Sequence, residues 1–172
     1  RNKMKRLILV GGPMGVGKSA VCRVLMERLA PCVYLDGDWC WTMRPYSITQ
    51  ETRALVLDNI CSVLARDLMC PELDNVIFGW VLHQQKTIDT ILSRLPLEGV
   101  EVRCVSLLAS PEVLRARLER DMAAGLRLRD GVVERSVAYL PLYEKLNTWK
   151  LDTTCLTPEE TAAQISWFLE QI

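Results

Sequence analysis

The sequence predicts an α/β fold with a mainly parallel sheet, and two observations support this prediction. Five short apolar segments, at 6–11, 32–36, 75–80, 100–109 and 149–154, alternate with longer segments of helical character. Most of the five are almost continuously apolar, which is typical of parallel strands that helices cover on both faces. Strand alternating with helix also favours right-handed crossover connections.

The predicted helices have recognisable starts. Thr157 is expected as an N-cap, with Pro158 as the first helical residue and Glu160 closing a capping box. Ser110 and Pro111 repeat the sequence of a cap followed by a proline. Within 49–69, apolar residues recur at helical spacing and predict one inward face. These residues are Leu57, Ile60, Cys61, Leu64 and Leu68.

Length and composition predict a single domain over 4–172. The chain of 172 residues has room for one core, and its 21 Lys and Arg residues balance 21 Asp and Glu residues. This balance does not favour nucleic acid or a membrane surface as a partner, and no apolar stretch approaches the roughly 20 residues of a bilayer span. The seven cysteines are odd in number and never spaced C-x-x-C. We therefore expect small buried residues in a reducing cytoplasm, not zinc ligands or disulfides.

Residues 12–19 match the pattern G-x-x-x-x-G-K-[ST] at every fixed position, after the first strand and before a helix. Glycines let backbone N–H groups turn toward a phosphate, and the helix N-terminus adds partial positive charge. Lys18 would then reach the β- and γ-phosphates, and Ser19 would offer its hydroxyl to Mg²⁺. The predicted nucleotide-binding residues are Gly12, Pro13, Met14, Gly15, Val16, Gly17, Lys18, Ser19 and Ala20.

A second candidate cluster, Asp36-Gly37-Asp38, ends the second predicted strand. Ligands of open parallel sheets gather beyond the carboxyl ends of strands, so these carboxylates should lie beside the phosphate-binding loop. In extended backbone they would point to one side. One would orient Mg²⁺, and the other would accept the proton of a substrate hydroxyl that attacks the γ-phosphate. The alternative is an Asp-Gly turn with helix-capping carboxylates.

These motifs resemble those of P-loop small-molecule kinases, the superfamily of nucleoside-monophosphate, shikimate and gluconate kinases. Asp36-Gly37-Asp38 is similar to the D-G-D of gluconate and adenylyl-sulfate kinases, and the chain also resembles chloramphenicol phosphotransferases. Segments 107–121 and 151–165 resemble the parts of gluconate kinases that lead into a lid and close the fold.

The resemblance implies a three-layer P-loop fold around a five-stranded parallel sheet in the strand order 2-3-1-4-5. It implies a lid at about 121–135 and an acceptor-side region at about 38–70. It also implies ATP and Mg²⁺ as cofactors, with Asp38 as the catalytic base and Asp36 as the magnesium-side carboxylate. An exchange of these two roles is the alternative.

Arginines are concentrated around two glycines in residues 115–135, which include the predicted lid, and this composition suits a hinged segment. They are Arg115, Arg117, Arg120, Arg127, Arg129 and Arg135. By the resemblance, Arg117 or Arg120 would lie against the nucleotide base. Arg127 or Arg129 would reach the phosphates and stabilise the charge of the transition state. A solvated helix face is the alternative for any one of them.

Aromatic residues and arginines between the second and third strands mark the region that, by the resemblance, closes over the phosphate acceptor. A pocket lined by aromatic rings and arginines suits a small, partly planar or anionic acceptor. The alternative is that the rings pack in the fold and the arginines reach outward into solvent. The predicted acceptor-side residues are Asp36, Asp38, Trp39, Arg44, Arg53 and Trp80.

The third strand departs from the pattern of many phosphate-loop proteins, which carry a magnesium-orienting aspartate at its end. This chain has Gly79 and Trp80 there, and its one histidine, His83, follows. The departure shifts the magnesium role to Ser19 and Asp36 and argues against a GTPase or motor ATPase. A packing or surface role is expected for His83, with contact to the acceptor as the alternative.

Taken together, these features predict an ATP-dependent kinase that transfers the γ-phosphoryl group to a hydroxyl, or a phosphate, of a small-molecule acceptor. The first alternative is a nucleotide or polynucleotide 5′-kinase, although a balanced charge disfavours a polymer substrate. The second is an ATP-binding switch without an acceptor, which would need no base. The sequence does not specify the acceptor or the oligomeric state.

Overall fold

A computed structural model of the protein describes residues 3–125 and 131–171. Strands and helices alternate along most of the chain, as the apolar pattern predicted. The strands are β1 (Lys5–Gly11), β2 (Cys32–Asp36), β3 (Asn75–Gly79), β4 (Val100–Leu108) and β5 (Trp149–Asp152). The helices are α1 (Lys18–Arg28), α2 (Gln50–Met69), α3 (Gln85–Ser93), α4 (Pro111–Ala123), α5 (Val132–Tyr143) and α6 (Pro158–Glu170), with a 3₁₀ helix at Gly37–Trp41.

The five strands form one parallel sheet in the order β2-β3-β1-β4-β5, which confirms the predicted fold and strand order. β1 is central, and its Leu9 pairs with Phe78 of β3 and with Cys104 of β4. Because all the pairings are parallel, the carboxyl ends of the strands meet at one edge. The phosphate-binding loop that follows β1 and the carboxylate that ends β2 therefore lie at the same edge, separated only by β3.

The core divides into two apolar clusters, one on each face of the sheet. Ile8 and Val10 of β1 pack into one cluster with α1 and α6, while Leu7 and Leu9 pack into the other with α2 and α3. All four side chains are at most 1% exposed. Both faces of β1 are thus covered by helices, which explains the continuous apolar run in its sequence.

The predicted helix starts are confirmed. Thr157 Oγ1 accepts a hydrogen bond from Glu160 N at 3.1 Å, and Glu160 Oε1 accepts one from Thr157 N at 3.0 Å. Ser110 Oγ accepts from Val113 N at 3.2 Å. The predicted inward face of α2 is confirmed for four of its five residues. The exception is Leu57, which is only partly buried, and Val56 is buried instead.

β5 ends two residues earlier than predicted, and a side chain explains the difference. Asp152 Oδ1 accepts hydrogen bonds from Thr154 N at 2.9 Å and from Thr154 Oγ1 at 2.6 Å. This local contact turns the chain out of the strand. β3 and β4 each end one residue before the predicted position.

Three ionised side chains tie the amino edge of the sheet to the end of α6. Glu101 accepts hydrogen bonds from Arg6 Nε at 2.9 Å and from Arg103 Nη2 at 2.7 Å. Arg6 also donates to Leu169 O, and Arg103 donates to Gln171 O. Burial would raise the pKa of Glu101, but the hydrogen bonds from the two arginines outweigh it and lower that pKa.

The cysteines are all free, and within the described ranges no group of His, Cys, Asp or Glu side chains is arranged to hold a metal on its own. Cys22 and Cys61 are buried as expected, whereas Cys155 is exposed, so the expectation of burial is wrong for that residue. In the described part of the chain, no helix is long and apolar enough to cross a membrane.

Candidate nucleotide and acceptor site

The loop between β1 and α1 has the backbone shape that its glycines predict. Gly15 has φ +85°, and a Cβ atom there would lie 2.4 Å from Leu118 Cγ of α4. Gly12 approaches β4 so closely that a Cβ would lie 2.7 Å from Leu107 O. The loop therefore needs glycine at these positions both for its left-handed backbone and for its contact with neighbouring elements.

The side chain of Lys18 folds back over the phosphate loop. Lys18 Nζ donates hydrogen bonds to Gly12 O at 2.6 Å and to Pro13 O at 2.9 Å. Gly17 is the N-cap of α1, and no side-chain hydrogen bond caps the helix there. A helix N-terminus of this kind favours an anion such as a phosphate.

Of the two predicted carboxylates, Asp36 accepts more hydrogen bonds. Its Oδ1 accepts from Asp38 N at 2.9 Å, which caps the 3₁₀ helix. Its Oδ2 accepts from Ser19 Oγ and from the Tyr34 hydroxyl, each at 3.2 Å. The expectation that residues 36–38 continue in extended backbone is wrong, because Gly37 and Asp38 already belong to the 3₁₀ helix. The capping role left open as an alternative holds for Asp36, together with its contact to the phosphate loop.

A cavity of about 590 Å³ lies at this edge of the sheet. It is lined by most of the phosphate loop, by both aspartates, by the α4 side of the predicted lid and by the segment that joins β5 to α6. Six predicted site residues with functional side chains thus meet at one cavity. They are Lys18, Ser19, Asp36, Asp38, Arg117 and Arg120.

Arg117 fixes α4 to the rest of the site. Its Nη1 donates to Val16 O at 3.1 Å and to Thr153 Oγ1 at 3.2 Å, and its Nη2 donates to Thr153 O at 2.9 Å. Burial, and then the neighbouring positive charge of Arg120, lowers the pKa of Arg117. Arg120 is exposed and lines the same cavity one turn further along α4.

Two of the predicted arginines, Arg127 and Arg129, lie outside the described residues. Their predicted contact with the phosphates stays a prediction. The helices on either side, α4 and α5, end and begin within the predicted lid region of 121–135.

The other predicted acceptor-side residues do not line the cavity. Trp39 is 49% exposed, and its ring stands edge-on against that of Tyr34, with 5.3 Å between the ring centroids. Trp80 packs against Gly37, where a Cβ would lie 2.5 Å from Trp80 Cγ. Arg44 and Arg53 are exposed. Their contact with an acceptor remains a prediction.

The segment after β3 connects the phosphate loop with α5. Val81 O accepts hydrogen bonds from Gly12 N at 3.2 Å and from the Tyr143 hydroxyl at 2.6 Å. His83 stacks on Tyr139, with 4.4 Å between the ring centroids, and burial lowers its pKa. His83 does not line the cavity, as the packing role predicts.

Sequence reasoning missed the far wall of the cavity. Side chains that were not predicted come from the end of α4, from the segment after β5 and from the start of α6. They are Asp121, Thr153, Leu156, Pro158 and Thr161. A signal was available, since the segment after β5 follows the carboxyl end of a parallel strand, where ligands are expected to bind.

The parallel sheet, the glycine-rich loop and the cavity beside it define a P-loop nucleotide-binding protein. A family model described as an AAA domain matches residues 8–130, and the chain belongs to that family. No curated protein sequence matches the chain significantly.

Solved structures of several small-molecule kinases share this fold. The gluconokinase of Sinorhizobium meliloti 1021 is 18% identical, with a TM-score of 0.64 over 98% of this chain and 99% of that one. Shikimate kinase of Acinetobacter baumannii in complex with shikimate is 21% identical, with a TM-score of 0.65 over 98% and 94%. APS kinase CysC of Mycobacterium tuberculosis in complex with AMPPNP and APS is 15% identical, with a TM-score of 0.64 over 98% and 99%. The resemblance to P-loop small-molecule kinases is confirmed at the level of the fold.

Proposed function

We propose that the protein is an ATP-dependent phosphotransferase that moves the γ-phosphoryl group to a hydroxyl, or a phosphate, of a small-molecule acceptor. One observation carries the proposal: Asp38 adds a second, exposed carboxylate beside Asp36, on the side of the cavity that follows β2. Asp36 already occupies the position next to Ser19. A protein that only binds nucleotide has no use for a second carboxylate facing the phosphates, because it would repel them.

The residues beside Ser19 fit a magnesium ion that is shared with the nucleotide. The Ser19 hydroxyl and the Asp36 carboxylate are hard oxygen donors in contact with each other. Within the described ranges no side-chain cluster forms a complete metal cage. Both facts suit Mg²⁺, which usually takes one or two protein oxygens and keeps phosphate oxygens and water as its other ligands. When bound, the ion would neutralise charge on the phosphates.

Asp38 is the proposed base. The acceptor hydroxyl gives its proton to a carboxylate oxygen of Asp38 while its oxygen forms a bond to the γ-phosphorus. The bond between the γ-phosphorus and the β–γ bridging oxygen breaks, and ADP leaves with that electron pair. Lys18 and the N-terminus of α1 hold the phosphates in line. A phosphate acceptor, already ionised, would not need this proton transfer.

Cationic side chains around the nucleotide complete the proposal. Arg117 and Arg120 line the cavity and are proposed to lie against the base. Arg127 and Arg129 are proposed to reach the transferring phosphoryl group. Trp39, Arg44, Arg53 and Trp80 are proposed to surround the acceptor. The choice of ATP is supported by the fold shared with APS kinase, which was solved with AMPPNP, and a cytoplasmic setting is supported by the free cysteines.

The test is a phosphorylation screen with ATP and Mg²⁺ across sugars, sugar acids, nucleosides, nucleotides and antibiotics that carry hydroxyl groups, read by mass. The expected result is an acceptor whose mass increases by one phosphoryl group and which accelerates ATP consumption. Lys18→Ala is the control and should abolish the product, because no other lysine lies in the phosphate loop. A short oligonucleotide with a 5′-hydroxyl tests the polynucleotide kinase alternative. ATP binding without any phosphorylated product across the screen would contradict the proposal and favour a nucleotide-dependent switch.

A further inference from the structure

Tyr34 fills the space beside Gly79 at the carboxyl end of β3. Gly79 pairs with Asp36 of β2 and with Val10 of β1, so it lies between the carboxylate and the strand that leads into the phosphate loop. A Cβ atom at residue 79 would lie 3.4 Å from Cε1 and 3.5 Å from the hydroxyl oxygen of Tyr34, and 3.3 Å from Cys22 Sγ. These are contact distances, so the ring of Tyr34 packs directly against Gly79.

The hydroxyl of Tyr34 reaches the carboxylate that is proposed to face magnesium. Tyr34 and Asp36 are two residues apart on β2, so their side chains lie on the same face of the sheet. The hydroxyl donates to Asp36 Oδ2 at 3.2 Å, the oxygen that also accepts from Ser19 Oγ at 3.2 Å. Tyr34 is only 8% exposed. A buried ring holds its hydroxyl in one place, so this donor restricts how Asp36 can rotate.

A tyrosine hydroxyl is uncharged near neutral pH, so Tyr34 is a neutral donor. It brings a hydrogen bond to the magnesium side of the cavity without bringing a charge.

We propose that Tyr34 is a positioning residue that holds Asp36 against Ser19. The inference rests on the proposed function, because it assumes that Ser19 and Asp36 bind the magnesium of a nucleotide complex. Hydrogen-bond partners of metal ligands fix the orientation of those ligands, and their loss typically weakens metal binding about 10–100-fold. Tyr34 contributes in this way and does not touch the reacting atoms.

The test compares Tyr34→Phe with the unchanged protein. The substitution removes one hydroxyl and keeps the ring that packs on Gly79, so the fold should survive. Binding of ATP is measured by calorimetry in EDTA and over a magnesium titration. We expect the Mg²⁺ concentration at the midpoint of the magnesium-dependent gain in affinity to rise about 10-fold or more. Affinity in EDTA should not change. Tyr139→Phe, which removes the hydroxyl of a partly buried tyrosine on α5, is the matched control and should leave the midpoint unchanged.

A double substitution shows whether Tyr34 acts through Asp36. In the Asp36→Asn background, Tyr34→Phe should cause no further shift of the midpoint, because the carboxylate it positions is gone. An unchanged midpoint in Tyr34→Phe alone, or an equal shift in both backgrounds, would overturn the proposal. So would a loss of affinity in EDTA as large as the loss with magnesium. The readout is nucleotide binding, so it does not depend on whether the screen finds an acceptor.

Discussion

Substitution of the two cavity aspartates by asparagine separates the proposed base, Asp38, from the proposed magnesium-side carboxylate, Asp36. Among the described residues, none donates a hydrogen bond to the Asp38 carboxylate, which is exposed. Asp38→Asn should therefore change stability by no more than about 0.5 kcal/mol, the usual range for such surface positions. It keeps the shape of the side chain and removes the proton acceptor. The loss in transfer should be about 10²–10⁴-fold, which corresponds to roughly 3–5 kcal/mol in the activation free energy.

Asp36→Asn should behave differently, because Asp36 accepts three hydrogen bonds through two oxygens. An asparagine can direct its carbonyl oxygen to Asp38 N and keep the cap of the 3₁₀ helix, since Asn and Asp cap about equally well. Its NH₂ group would then face Ser19 and Tyr34, where only a carboxylate suits a nearby cation. We expect weaker magnesium binding in a folded protein. High Mg²⁺ concentration should restore part of the activity of Asp36→Asn and none of that of Asp38→Asn.

The assay is single-turnover transfer to the acceptor found in the screen, with ATP affinity measured in parallel over a magnesium titration. Affinity for ATP should hardly change in Asp38→Asn, or rise slightly, because the loop around Lys18 is proposed to hold the phosphates and the substitution removes one nearby negative charge. Full transfer by Asp38→Asn would refute the assignment of the base. If magnesium rescued Asp38→Asn instead of Asp36→Asn, the two roles would have to be exchanged.

Two further predictions concern stability. Gly15→Ala should lower the melting temperature more than Gly17→Ala in a thermal unfolding assay. Both glycines have positive φ, but only at Gly15 would the new Cβ meet Leu118. Equal shifts of the melting temperature would contradict this contact. Glu101→Gln should reduce the loss of stability on acidification, which is measured by unfolding over a pH series. The pKa of Glu101 is lower in the folded protein than its ordinary value of about 4.5 in the unfolded chain, so ionised Glu101 stabilises the fold when the pH is above about 4.5. This contribution disappears as the pH falls through the folded-state pKa. A parallel pH dependence in the two proteins would refute this reasoning.

The parts of the site that lie in short stretches of sequence were predictable, and those assembled across the sheet were not. A loop of this pattern binds phosphate mainly through consecutive backbone groups, so the residues from Gly12 to Ser19 carry nearly all of the information. Asp36 and Asp38 were found because they follow a strand directly. Their backbone conformation was not predicted, because Asp36 Oδ1 accepts a hydrogen bond from Asp38 N and a 3₁₀ helix begins in place of an extended chain.

Tyr34 and Thr153 show why the rest escaped sequence reasoning. In the sequence Tyr34 is one more apolar strand residue, and only the pairing of β2 with β3 places it over Gly79. Thr153 follows β5, and it meets Arg117 only because α4 packs back against the phosphate loop. Strand order came from the resemblance to known kinases, since hydrophobic pattern alone does not determine which parallel strands are neighbours.

The charges around the cavity explain why a neutral donor at Tyr34 suits this site better than another carboxylate. Among the described residues that line the cavity, the cations are Lys18, Arg117 and Arg120 and the anions are Asp36, Asp38 and Asp121, so the formal charges cancel. Attraction for a triphosphate must then come from the N-terminus of α1, from the backbone N–H groups of the loop and from magnesium. An aspartate at residue 79 would make the described lining negative and oppose the nucleotide. The hydrogen bond from Tyr34, which is proposed to position Asp36, leaves the balance of charge unchanged.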